Sequence, residues 1–167
     1  ILPALARARE QARQIRCRGN LRQVGLALSM YRTDYRDWNC PIYFSSGNYW
    51  LHGVKPYVQT SEVYHCPSQL PKVPCDYDPD ITNSYGMNTS NFQGGKSYCF
   101  WYPVFDGRVK NNQVIHVADC AIRTAGTYYY VGGGSTFTEP VPKVDYRHFV
   151  AFNALHYGGN VSGLRHS

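Results

Sequence analysis

Apolar side chains recur along the first 36 residues in steps of three and four. They run Leu5, Ala8, Ala12 and Ile15, then Cys17, Leu21, Val24, Leu28, Tyr31 and Tyr35. That spacing belongs to the 3.6-residue α-helix. It predicts one long amphipathic helix over residues 1–36, read as a single apolar stripe that the remaining chain must cover. Pro3 fits a helix start, where a missing N–H costs nothing. Gly25 costs about 1 kcal/mol relative to Ala inside a helix, so a close approach by the sheet is expected there. The chain opens on Ile1-Leu2 without an initiator Met, a capping residue or a signal-peptide pattern. The expectation is that an apolar segment precedes Ile1.

Beyond the helix, Asp37-Trp38-Asn39-Cys40-Pro41 breaks the periodicity, and Ser45-Ser46-Gly47-Asn48 is turn chemistry. Tyr49-Trp50-Leu51 and Val54 to Val58 read as a short helix or turn that packs aromatics beside the spine. Residues 66–97 carry Pro67, Pro71, Pro74, Pro79, Gly86, Gly94 and Gly95, and read as a long loop region. Tyr98 to Phe105 is strand-like. Gln113 to Asp119 is rich in β-branched residues and reads as a buried strand, and Tyr128 to Val131 as another. Asn153 to Tyr157, Gly158-Gly159 and Asn160 to Leu164 predict a β-hairpin with a two-residue Gly-Gly loop at positive φ. Covering a long helix with several antiparallel strands gives an α+β fold, helix first and sheet after. Residues 1–36 form the helix and residues 37–167 the head, one domain in all.

Charge sharpens the picture of the helix. Arg7, Arg9, Arg13, Arg16, Arg18, Arg22, Arg32 and Arg36 face only Glu10 and Asp34, so residues 1–36 carry the whole net charge of +6. Such a face suits a solvated or fibre-packing helix, anionic lipid headgroups or nucleic-acid phosphates. No aromatic residue lies between Ile1 and Met30 to stack on bases, which argues against single-stranded nucleic acid. No stretch reaches the roughly 18 apolar residues of a membrane span.

Candidate chemistry is sparse. The six Cys form no Cys-x-x-Cys pair, and the six His form no His-x-x-x-His spacing, so no metal site is expected. Cys66 and Cys75 bracket a Pro-rich loop that a disulfide would close in an oxidising compartment; buried thiols are the other reading. Asp76, Asp78 and Asp80 alternate as in a calcium loop, without the Gly and Glu of an EF-hand. No nucleophile elbow, P-loop or dinucleotide motif occurs, so no catalytic residue and no enzyme is expected.

Several blocks carry a family resemblance. Ile1-Leu2-Pro3-Ala4-Leu5-Ala6-Arg7-Ala8-Arg9-Glu10, Cys17, Asn20-Leu21-Arg22-Gln23-Val24-Gly25-Leu26-Ala27-Leu28 and Tyr31-Arg32-Thr33-Asp34-Tyr35 resemble type IV pilin-like proteins with a prepilin cleavage and methylation signal. More narrowly, they resemble the pseudopilin G-like branch and the group named for a C-terminal His-X9-Asp-Gly motif, abundant in planctomycete-type bacteria. His65-Cys66-Pro67-Ser68 resembles that group's Phe-x-Cys-Pro-Ser, Ser84-Tyr85-Gly86-Met87-Asn88 matches its Ser-Tyr-Gly-Met-Asn, and Val117-Ala118-Asp119 resembles its Phe-Ala-Asp. Arg147-His148 precedes Gly158-Gly159 at the motif's spacing, with Gly158 where the family has aspartate.

The resemblance implies a pilin-like fold and a structural subunit of a pilus-like or pseudopilus-like filament, or of a type II secretion-like machine. An apolar N-terminal segment would anchor it in the bacterial inner membrane, with the head in the periplasm or outside. Its partners would be copies of itself or other pilin-like subunits. Leu5, Ala8, Ala12 and Ile15, flanked by Arg7 and Arg13, would face neighbouring helices or the membrane surface. Leu21, Val24, Leu28, Tyr31 and Tyr35 would cover the subunit's own sheet. Major pseudopilins of type II secretion bind calcium in a C-terminal loop, so calcium is the one cofactor left open, with Asp119 and Asp145 as candidates. The alternative is a membrane-tethered module binding a glycan, a polymer or DNA through Tyr-rich loops between residues 66 and 135.

Overall fold

A computed structural model describes residues 2–45, 48–69, 74–75, 78–88, 115–119, 122–123, 126–127, 130–131, 147–148 and 151–165. Helix α1 runs unbroken from Leu2 to Asp34, with Pro3 in its first turn. It ends in a Schellman-type closure: the Asp37 N–H donates to the Arg32 carbonyl at 2.8 Å. Arg36 takes the left-handed position, φ 53°, where glycine is usual.

A strand pair, β1 (Tyr43–Ser45) and β2 (Asn48–Tyr49), leads into α2 (Trp50–Val54) and two 3-10 turns, Lys55–Tyr57 and Ser61–Tyr64. Strands β3 (Pro74–Cys75) and β4 (Asp78–Thr82) pair antiparallel, as do β7 (Ile122–Arg123) and β8 (Gly126–Thr127). The main sheet joins β5 (Tyr85–Asn88), β6 (Ile115–Asp119), β9 (Tyr130–Val131), β10 (Ala151–His156) and β11 (Val161–Arg165). Its order is β11-β10-β6-β5-β9, antiparallel throughout except for the parallel edge pair β5–β9. The fold is thus the expected α+β, pilin-like arrangement of a long helix on an antiparallel sheet.

One face of α1 makes the core. Cys17, Leu21, Val24, Leu28 and Tyr31 are buried against Tyr85 and Met87 of β5, Val117 of β6, Leu155 of β10, and Trp50, Leu51 and Val54 of α2. The expected close approach at Gly25 is there: a Cβ on it would lie 3.0 Å from Leu155 Cδ1. Tyr35 does not join this face. It is 53% exposed and stacks on Tyr31 at 4.1 Å between ring centroids, because the chain leaves the helix at that residue.

The single stripe expected along the helix is in fact two. Each residue advances about 100° around the axis, so the step of two from Ile15 to Cys17 swings about 200°, onto the opposite side. Leu5, Ala8, Ala12 and Ile15 therefore point away from the core and are exposed. Gly19, Leu26 and Met30 continue the same outer line. Ile15 is 71%, Leu26 66% and Met30 52% exposed.

Strand β5 corrects the loop expected over residues 66–97. Its four residues are all buried, so the polar–apolar alternation that announces a half-exposed strand is missing. Tyr98 to Phe105 lies outside the described residues, as does Asp145. The hairpin is present as β10–β11, with Leu155 opposite Val161. Its loop is longer than two residues: His156 N–H donates to Asn160 O and Gly159 N–H to His156 O. Gly159 alone takes positive φ, 86°, as in a type I turn closed by a G1 bulge. Gly158 needs no such conformation, so an aspartate fits where the family motif has one.

Two predictions follow from this packing. Leu28→Ala should lower unfolding free energy by about 2–5 kcal/mol, whereas Ile15→Ala should change it by less than about 0.5 kcal/mol; urea titration of both variants measures the contrast. In the hairpin, Gly159→Ala should cost about 1–2 kcal/mol, while Gly158→Asp should be tolerated. Equal losses at the two glycines would contradict the turn geometry.

Candidate metal centre

Beyond the apolar core, α1 presents a polar group to the head. Glu10 and Cys17 are seven residues apart, two helical turns, and so share a face. Cys66 follows the 3-10 turn Ser61–Tyr64, Asp119 ends β6, and His148 precedes β10, held by a reciprocal backbone pair with Ala151 at 3.0 Å. Cys17, Cys66, Asp119 and His148 are all buried, and their ligand-type atoms lie within 4.8 Å of one another. Cys66 Sγ is 3.3 Å from His148 Nε2. The Cys17 thiol donates to Asp119 Oδ1 at 3.4 Å, and His148 Nε2 is 3.7 Å from Asp119 Oδ2.

A second ring of contacts orients these four. His148 Nδ1 donates to Glu10 Oε1 at 2.9 Å, and the Ser68 hydroxyl donates to the same oxygen at 2.6 Å. Glu10 also pairs with Arg13 at 3.6 Å. The Asn153 N–H donates to Asp119 Oδ2 at 2.6 Å, and its side-chain amide donates to Cys17 Sγ at 3.3 Å. Arg18 Nε donates to Asn153 Oδ1 at 3.0 Å and fixes that amide. The guanidinium passes over Gly163, where a Cβ would collide with it. Tyr85 OH donates to Cys17 Sγ at 3.3 Å.

Electrostatics follow from enclosure and proximity. The Cys17 hydrogen bond outweighs burial at Cys66 and, with His148 and Arg147, pushes that thiol well below its ordinary range. Burial, with Cys66 and Asp119 beside it, pushes Cys17 up. Burial likewise raises Asp119 to about 6, against the opposing pull of Arg147. Burial disfavours charge on His148, but Cys66, Asp119 and Glu10 outweigh it and raise its pKa. Desolvation works against the Glu10 carboxylate, yet Ser68, His148 and Arg13 hold its pKa below the usual value.

Several expectations change here. Cys66 is a free thiol within this group, so the disulfide with Cys75 is not made: the Cys66 side chain turns toward helix α1 and His148. Asp119, a candidate calcium ligand, sits among two sulfurs and an imidazole nitrogen rather than the oxygens calcium takes. The expectation of no metal rested on local spacing. The four ligand-type residues instead come from four segments that only the fold brings together. A signal was present all the same: the family blocks around Cys17, Cys66-Pro67, Ala118-Asp119 and Arg147-His148 each contain one of them.

Cys66, His148 and Glu10 also stand in the order of a thiol nucleophile, a base and an orienting carboxylate. Cys66 and His148 are both buried, so that sulfur is out of contact with solvent. The donor set is that of a cation site instead: two thiols, an imidazole and a carboxylate.

Residues 6–64 match the model of a family described as a protein of unknown function (DUF1559). The match spans α1, α2 and both 3-10 turns, and includes Glu10 and Cys17 but stops two residues before Cys66. No curated protein and no solved structure matches the chain. Over about its first third, the chain is similar to that family.

Proposed function

We propose that the protein is a structural, non-catalytic subunit of a pilus-like or pseudopilus-like filament, or of a type II secretion-like machine. It would work outside the cytoplasm, tethered to the bacterial inner membrane. The observation that carries this reading is the pair of opposite faces on α1. The inner face packs against the subunit's own head, while Leu5, Ala8, Ala12, Ile15, Leu26 and Met30 form an outer apolar line that is exposed, with none of the described residues packed over it. Their spacing of mostly three and four residues, with Ala8, Ala12 and Gly19 small, suits close packing against another helix. No helix among the described residues is long and apolar enough to cross a membrane, so α1 itself would serve in contacts between subunits.

Arginines border that line: Arg9, Arg13 and Arg16 on one flank, Arg7, Arg18 and Arg22 on the other. Neighbours must then be staggered so that acidic groups, not more arginines, meet them. Anionic headgroups would serve the same purpose where the helix nears lipid. The tethered-binder alternative depends on loops between residues 66 and 135 that lie largely outside the described residues, and no observation favours it.

Cysteine cross-linking in the bacterial host tests the proposal on the full chain. Ala12→Cys should give a disulfide-linked dimer on mild oxidation, and Asn160→Cys, at the hairpin tip, should not. Adding Ile15→Glu to Ala12→Cys should abolish the dimer without lowering the thermal midpoint. Monomers alone with Ala12→Cys, in cells where the protein is present at its native level, would overturn the filament reading.

A further inference from the structure

We infer that Cys17, Cys66, Asp119 and His148 hold one zinc-class divalent cation in a closed structural site that fastens helix α1 to the head. The argument begins with distances. A tetrahedral zinc with sulfur ligands near 2.3 Å and nitrogen or oxygen ligands near 2.0 Å sets ligand-to-ligand separations of about 3.3–3.8 Å. Three of the six ligand pairs stand at 3.3 Å, 3.4 Å and 3.7 Å, the last two measured to different oxygens of Asp119. All four donor atoms lie within 4.8 Å of one another, so only a modest contraction brings the whole group to tetrahedral separations.

Donor chemistry selects the class of ion. Two thiolates and an imidazole favour zinc over calcium or magnesium, which take oxygen ligands. Charge agrees: a divalent cation among two thiolates and one carboxylate leaves a single negative charge. Arg147 stands near enough to act on both Cys66 and Asp119.

The surroundings are those of a ligand shell. Glu10 accepts the Nδ1 proton of His148, leaving the Nε2 lone pair to face Cys66 and Asp119. Such carboxylate–histidine pairs recur behind metal-bound imidazoles. Asn153 and Tyr85 direct three N–H or O–H groups at Asp119 and Cys17, as suits anionic ligands. A cleft of about 200 Å³ lined by Gln14, Arg18, His148 and Gly163 opens beside the group.

A Cys17–Cys66 disulfide is the competing use of the two sulfurs. It would leave Asp119 and His148, both fully buried, without the cation that the geometry of all four residues converges on. With four protein ligands the ion has no open position, so its role is structural and not catalytic. The ligands come from α1, the segment after the 3-10 turn, β6 and the approach to β10. Binding energy there becomes folding energy, and it locks the helix to the sheet beside Glu10, where the covered part of α1 begins. This holds for the isolated subunit and does not depend on the filament proposal.

The test uses the full chain purified without chelators from its bacterial host. Elemental analysis should find about one zinc per chain. A strong chelator should lower the thermal midpoint, and added zinc should restore it. Cobalt exchanged for zinc should give the visible bands of a tetrahedral ion and sulfur-to-cobalt charge transfer, lost in Cys66→Ser. Glu10→Gln keeps all four ligands and should still fold, with zinc affinity about 10–100-fold weaker in competition with a chromogenic chelator. Cys40→Ser, outside the group, should leave stoichiometry unchanged. The proposal is overturned if the native protein carries no such metal and melts identically with and without chelator, or if peptide mapping finds Cys17 and Cys66 joined to each other.

Discussion

A helix can satisfy only as much of its surface as its own chain covers, and α1 leaves residues 3–9 and one whole side exposed. That mismatch governs the rest of the structure. Where the head covers the helix, Leu21, Val24, Leu28 and Tyr31 are removed from water and contribute the usual gain of apolar burial. Where it does not, the same helix shows Leu5 and Ile15 to solvent. The outer line continues past Gly19 to Leu26 and Met30, behind residues that are core on the other side. One element therefore serves two interfaces, and substitutions only two or three residues apart report on different ones.

The inner interface changes character along its length. From Leu21 to Tyr31 it is apolar and tolerant of the usual adjustments among side chains. From Glu10 to Cys17 it is polar, directional and enclosed. Burying a carboxylate, an imidazole and two thiols costs free energy unless each finds partners. Here each does: Asp119 receives the Asn153 N–H, His148 reaches Glu10, and Cys17 receives Tyr85 and Asn153. Directional contacts of this kind specify a position more narrowly than packing does. They fix the rotation of α1 about its own axis, since a turn of the helix would carry Glu10 and Cys17 away from their partners together.

The long helix, the buried strand β6 and the final hairpin were legible in sequence because each leaves a local mark: helical spacing, β-branched enrichment, a glycine turn. Strand β5 leaves none. Ser84 to Asn88 is buried on both sides, so it lacks alternation, and its Gly and nearby prolines suggest a loop. The two faces of α1 were blurred for a subtler reason. Steps of three and four continue on either side of the pair Ile15–Cys17, and only the step of two between them reveals the change of side. The buried polar group is illegible by spacing, since Cys17, Cys66, Asp119 and His148 are at least 29 residues apart in sequence. Long-range pairing of this kind is a property of topology, not of any window of the chain.

Where the polar group sits has a mechanical consequence. Each residue of α1 adds 1.5 Å along the axis, so residues 2–9 project about 12 Å beyond Glu10. If apolar contacts alone held the helix, its firm attachment would begin at Leu21 and the free arm would be more than twice as long. Ties at Glu10 and Cys17 shorten it, and two separated points of contact resist bending where one would act as a hinge. Any load or contact on the outer line near Leu5 and Ala8 is then passed to the sheet through His148 and Asp119. Stiffness of the helix relative to the head thus depends on four buried side chains and the residues that orient them. The apolar core sets whether the head folds at all.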